Sequence, residues 1–290
     1  MRLASRGLRL LILGAFAVFF VAPLVWLILA PTKSDEALVS SGSLSFGSFQ
    51  QIALAWQHLD SFSDHLYRMW IGNSLLYAVS ATAIVLATAI PAGYGLAFGR
   101  FPGRRLVLTL TLVVMIMPAA ALVLPIFLEL NALHLIGNVL SVILPFAFYP
   151  FGVYLAYIYY ATAVPRELLD AARVDGCGEW STFRHIALPL AKPVVALVLF
   201  FSFVSDWNNF FLPYTVLADS TQYPIQVGLS NLLSSTPSFN PAVGGGGQQV
   251  NIFRPELALA TLLAVIPVAI VFMLSQRALV RGLVGGGVKE

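Results

Sequence analysis

Charge is what this 290-residue chain has least of: 10% of its residues are Asp, Glu, Lys or Arg, against about 25% in ordinary globular proteins. So little charge cannot cover a soluble fold of this size. The formal net charge is +3, and Lys and Arg do not gather into one patch, which excludes a nucleic-acid footprint. A single cysteine, Cys177, excludes an intrachain disulfide and any cysteine-based metal cluster. The four histidines (His58, His65, His134 and His185) are scattered without HExxH spacing, so no metal site is expected. No GxxxxGK[ST] loop occurs, so the chain has no nucleotide site of its own and is not expected to be an enzyme. Internal repeats are absent, and the only low-complexity tract is the glycine run 244–247.

What fills the chain is apolar: 59% of its residues are hydrophobic. Crossing a bilayer as a helix takes about 20 mostly apolar residues. Six stretches qualify, 10–30, 71–98, 106–128, 135–160, 194–217 and 257–275. Each contains a proline (Pro23, Pro91, Pro118, Pro145, Pro213 and Pro267), which membrane bundles tolerate because neighbours re-satisfy the freed carbonyls. The first run follows Arg2, Arg6 and Arg9 but is longer than a signal-peptide core, so it reads as a retained anchor. Thirteen of the sixteen Lys and Arg fall on one set of segments and only Lys33, Arg68 and Arg254 on the other. The positive-inside rule then puts both termini in the cytoplasm. The expected fold is therefore an all-α membrane protein, one transmembrane domain over 1–290, with six transmembrane helices. Long outer loops cover about 31–70 and 218–256, and a cytoplasmic loop covers about 161–193.

That cytoplasmic loop reads as two short helices about a turn. Pro165 can open the first at its N1 position, with Glu167 and Asp170 near the positive end of the dipole. Leu168, Leu169, Ala172 and Val174 supply an apolar side. Gly176 and Gly178 break the helix and permit positive φ. Trp180, Phe183 and Ile186 then recur at helical spacing until Pro189. Periodicity alone fits an amphipathic connector lying on the membrane surface equally well.

The residues also carry a resemblance. Pro165, Glu167, Leu168, Ala171, Ala172, Asp175, Gly176, Phe183, Ile186, Leu188, Pro189 and Pro193 follow, in order, the EAA coupling loop of ATP-binding-cassette importer permeases. Asp170 stands where that pattern has Glu, and Cys177 where it has a small Ala. Gly93-Tyr94-Gly95-Leu96-Ala97 followed by Arg100-Phe101-Pro102-Gly103-Arg104 resembles the exit of the family's second span. Trp207-Asn208 is similar to the W-N pair of the sugar branch. The tail, from Gln276-Arg277 through Arg281-Gly282 to Lys289, resembles that of the maltose-type second permease.

The resemblance implies a permease subunit of an ATP-driven importer for a sugar or sugar-like solute in a bacterial or archaeal cytoplasmic membrane. Its implied partners are a second permease, two ATPase subunits and an extracytoplasmic solute-binding protein. ATP and Mg would bind in the partner ATPase, with no cofactor in this chain. Glu167, Asp170, Ala171, Ala172, Asp175 and Gly176 would couple to the ATPase, and Arg281, Gly282 and Lys289 of the tail would touch it. Transport would proceed by alternating access.

The substrate path is expected along the fifth span. Asp206 falls near its middle, where a lipid-facing charge is costly. Ser202, Ser205, Asp206 and Asn209 recur at helical spacing with Asn208 at the edge, and Trp207 beside them offers a ring to a sugar face. A structural polar cluster tying spans together fits the same residues. On the residues alone a second function class stays open: a stand-alone secondary transporter or channel, for which Asp206 would be the buried ionisable group on the path.

Overall fold

The computed structural model describes residues 2–240 and 252–285. Among them there is no strand, and the fold is all-α. The principal helices are α1 (Arg2–Leu29), α2 (Phe49–Ser61), α3 (Leu66–Phe98), α4 (Arg104–Ile116), α5 (Ala119–Ala132), α6 (Leu140–Ala147), α7 (Pro150–Ala163), α8 (Arg166–Val174), α9 (Glu179–Leu190), α10 (Lys192–Trp207), α11 (Phe211–Val216), α12 (Ile225–Ser234) and α13 (Arg254–Gly285). By length and composition four segments can cross a membrane: Leu8–Thr32, Leu66–Phe98, Leu140–Ala163 and Arg254–Leu279. Counting the bent pairs α4–α5 and α9–α10 as one span each gives up to six. The glycine run 244–247 and Lys289 lie outside the described residues.

Three of the expected spans are interrupted, each for a local reason. Span 106–128 breaks between α4 and α5, which meet at 109°. Pro118 lacks an N–H and forces Met117 into an extended conformation, φ −66° and ψ 131°. Span 135–160 breaks at Phe148 and Tyr149, the residues before Pro150. Span 194–217 ends as a regular helix at Trp207 and resumes at Phe211. There Pro213 cannot donate to the Asn209 carbonyl, while the Asn208 side-chain amide donates to the Val204 carbonyl at 2.9 Å. Proline tolerance is therefore not uniform: Pro23, Pro91 and Pro267 sit inside unbroken helices.

The described residues fall into two compact units. The first, within Met1–Met69 and Gly228–Ile266, is held by polar ties. The Tyr67 hydroxyl donates to the Ala260 carbonyl at 2.8 Å, and His58 Nδ1 lies 2.8 Å from Glu256 Oε1. The buried Lys33 ammonium donates to the Gly42 carbonyl at 2.7 Å, stapling the turn after α1.

The second unit, within Trp70–Val227 and Pro267–Glu290, carries the candidate sites. One of its cores packs Tyr94 against Tyr160 and Phe183, with ring centroids 5.6 Å and 5.1 Å apart. This ties α3, α7 and α9 together. Gly93 explains how α3 and α7 approach: a Cβ there would stand 2.8 Å from the Ala156 carbonyl carbon, closer than atoms can sit. Gly95 meets nothing within 4 Å, so only the first of these glycines is a packing requirement.

Candidate functional site

Two features of the second unit bear on function. The first is the segment α8–α9. The sequence places Pro165 at the first helical position; the structure places it one residue earlier, at the N-cap of α8. The helix closes in a Schellman motif, with Cys177 N–H donating to the Ala172 carbonyl at 2.9 Å and Gly176 N–H to the Arg173 carbonyl at 3.1 Å. Gly176 has φ +82° with nothing within 4 Å of a Cβ, so glycine is required there by backbone conformation and not by space.

The expected apolar side is split in two. Leu169 and Ala172 are buried, Leu169 within the core. Leu168 and Val174 point the other way, and Val174 is 88% exposed. Glu167, Asp170, Ala171, Asp175 and Gly176 share that exposed side, and Trp180 is 66% exposed next to them. A partly apolar, exposed surface is thus left on α8 and the start of α9. Pro189 does not end the run but lies within α9, which contains a π-helical turn at Phe183–Ala187 that accommodates the missing N–H. α9 meets α10 at 77°.

Arg173 organises this surface. Its guanidinium donates to Glu179 at 2.9 Å and to Asp170 at 2.8 Å. The Glu179 carboxylate first, with Asp170 beside it, holds Arg173 charged above its ordinary range. Asp170 is therefore partnered within its own helix. Sequence reasoning missed Glu179, whose signal was an acid directly after the Gly-Cys-Gly turn. Of the tail residues, Arg281 and Gly282 continue the backbone of α13.

The second feature is a cavity of about 640 Å³ at the meeting point of the three helix breaks. Met117, Phe148, Tyr149, Asn208 and Asn209 all line it. Irregular backbone at membrane depth is tolerated where it borders a water-filled space or is packed in protein, and broken helices mark binding sites in transporters for that reason. Asp206 also lines the cavity; it is 7% exposed, and its Oδ2 is buried with no hydrogen-bond partner among the described residues. Ser205 lies beside it. The Asn209 side chain accepts from the Leu212 N–H at 3.4 Å, holding the start of α11.

Two expected path residues lie elsewhere. Ser202 is fully buried, and its hydroxyl donates to Thr82 Oγ1 at 3.4 Å, against α3. Trp207 is 2% exposed, with its ring stacked on Phe203 at 5.6 Å, so it presents no face to the cavity. The aromatic walls come instead from Phe148, Tyr149, Phe151, Phe210 and Phe211. The cavity thus presents a carboxyl group, two amides and a hydroxyl within aromatic walls, groups that can hydrogen-bond hydroxyls and stack on apolar ring faces.

Comparison with known proteins agrees with this architecture. The family model for the binding-protein-dependent transport system inner membrane component matches residues 89–285. The arabinooligosaccharides transport system permease protein AraQ of Bacillus subtilis is 35% identical over 224 residues, covering 77% of this chain and 74% of that protein. Its counterpart in Halalkalibacterium halodurans is 33% identical over 287 residues, covering 97% and 96%. The diacetylchitobiose uptake system permease protein NgcG of Streptomyces coelicolor is 29% identical, covering 95% and 86%. The fold matches a chain of a bacterial ABC transporter involved in import of the acidic polysaccharide alginate, with a TM-score of 0.78, 23% identity, and coverage of 94% and 96%. The chain belongs to the binding-protein-dependent transport system inner membrane components, as a multi-pass permease subunit of an ABC importer.

Proposed function

We propose that this permease carries a sugar or sugar-like solute through the cavity beside Asp206. The observation that carries the reading is the unpartnered Asp206 oxygen at the point where three helix breaks converge. The relatives' names support the substrate class, since two are permeases for oligosaccharides of arabinose and one serves diacetylchitobiose uptake. The whole chain, 1–290, acts as one transmembrane domain of six spans. It works beside a second permease and two ATPase subunits, which hold ATP and Mg, and it receives solute from an extracytoplasmic binding protein.

In this reading the exposed side of α8, with Glu167, Asp170, Ala171, Asp175 and Gly176, docks on the ATPase, and Ala172, expected from the sequence to join them, does not. Ala171 lets the partner backbone approach closely, and the Schellman turn fixes the end of the docking helix. Ala172 faces inward and seats α8 on the core. Arg281, Gly282 and Lys289 add a tail contact. Closure of the ATPase dimer then turns α8–α9 as a lever on α10, which carries Asp206, and opens the cavity to the other side.

The mechanism requires α8 and both termini in the cytoplasm, as the distribution of Lys and Arg indicates. A reporter active only outside the cytoplasm is expected to be silent after Glu290 and active within 234–247. The reverse pattern would put α8 out of reach of any ATPase.

A further inference from the structure

The turn between α3 and α4 is not used in the mechanism above, yet it carries three arginines within six residues, Arg100, Arg104 and Arg105. Arg100, Arg104 and Arg105 line one cavity of about 790 Å³ together with Tyr157, and no acidic residue lines it. None of the three arginines is ion-paired among the described residues; Arg104 only donates weakly to the Ala97 carbonyl, at 3.4 Å. Positive-inside bias accounts for basic residues on this side of the membrane. It does not account for their gathering round one concavity whose lining holds no acid, at a helix start that has no acid in its first turn, although Arg100 also borders a second cavity lined by Asp170 and Glu179.

The helix that leaves the cavity has a second property. α4 has no buried residue. Arg104, Leu108, Leu112 and Ile116 recur every fourth residue, so they form one stripe with a cation at its start and apolar side chains beyond. Leu108 is itself a wall of the cavity, and Ile116 is among the most exposed residues of the chain. Twelve residues of helix rise about 18 Å, close to the roughly 15 Å of one hydrocarbon leaflet.

We infer that this cavity binds the headgroup phosphate of an anionic phospholipid, with an acyl chain lying along the Arg104–Ile116 stripe. Guanidinium groups pair with phosphate oxygens through parallel N–H bonds, and the Tyr157 hydroxyl can add one more donor. Basic pockets beside membrane helices recognise lipid headgroups through the same chemistry. The site sits on the turn joining α3 to α4, and α4 packs on α7. A lipid there would therefore brace the cytoplasmic end of the helices that carry the saccharide cavity.

The test uses the assembled importer in phosphatidylcholine nanodiscs with a trace of photoactivatable phosphatidylglycerol. Labelled peptides are expected to map to 99–116 and Tyr157. Unlabelled phosphatidylglycerol should compete, and neither phosphatidylcholine nor inorganic phosphate should. The pair Arg100→Gln and Arg105→Gln is expected to weaken competition about thirtyfold, taking roughly 1 kcal/mol per arginine near the surface. Displacement by inorganic phosphate alone would make this a site for a soluble anion and overturn the proposal. Equal competition by phosphatidylcholine would overturn it too, as would absence of label because the second permease covers α4. These competition readings use the unaltered chain, so they stand even if the double variant fails to assemble.

Discussion

Asp206→Asn is expected to lower saccharide uptake about tenfold to a hundredfold in an importer that assembles and hydrolyses ATP as before. Asp206 Oδ2 is buried, lines the cavity and has no partner among the described residues. Such a group is costly unless something that enters the cavity satisfies it. Leaving a buried polar group unsatisfied costs about 1–3 kcal/mol, which sets the expected range. Asparagine keeps the volume but turns one acceptor into a donor, so the loss reports hydrogen bonding rather than packing. Ser202→Ala, which removes weak ties to Thr82 and to the Leu199 carbonyl, is expected to leave uptake nearly unchanged. Uptake unaffected by Asp206→Asn would remove this cavity from the path. A fall in assembly would make Asp206 a structural tie between helices.

Asp170→Lys and Gly176→Val are expected to separate ATP hydrolysis from transport. Asp170 now lies against Arg173, an exposed pair that contributes little to folding. Its carboxylate is therefore free to be shared with a basic groove on the ATPase. Lysine there repels both Arg173 and the groove, and losing a desolvated charge pair at an interface costs about 2–5 kcal/mol. Gly176→Val forces a β-branched residue to φ near +82°, a strain of about 1–3 kcal/mol that the open space around it cannot relieve. Gly176→Asn, which tolerates left-handed backbone, is expected to retain most coupling. Co-purification of ATPase with the permease, and substrate-stimulated hydrolysis, measure both variants. Normal values for both would take α8 out of the energy-transfer route.

The apolar runs made the long helices legible: α3 and α13 cover the stretches 71–98 and 257–275, and α1 covers all but the last residue of 10–30. Hydropathy was blind to two of the breaks because Met117 and Phe148 are themselves apolar, and at the third Asn208 and Asn209 are too few to interrupt the apolar run. Proline marked the breaks only in part, since Pro91 and Pro267 lie within continuous helix while Pro118 and Pro150 end one. Helical spacing put Asn209 on the same face as Asp206. In the structure the helix has already ended at Trp207, and it is the break itself that brings Asn209 to the same cavity. The same periodicity put Ser202 on the path, although that residue turns toward α3. Trp207 was read for its ring chemistry, but which face of a ring is covered depends on a neighbour, here Phe203, and not on spacing. Tyr149 went unread because its place at the cavity comes from α6 and α7 parting, an arrangement with no signature in span 135–160 beyond Tyr149-Pro150.

Uptake of labelled oligosaccharide into proteoliposomes tests the central claim most directly. The chain is reconstituted either alone or with its second permease and ATPase subunits, and solute is presented on the binding protein. Accumulation is predicted only for the full assembly with ATP and Mg on the cytoplasmic side, and none for the chain alone under any ion gradient. Gradient-driven accumulation by the isolated chain would contradict the account and make it a secondary transporter built on the same fold.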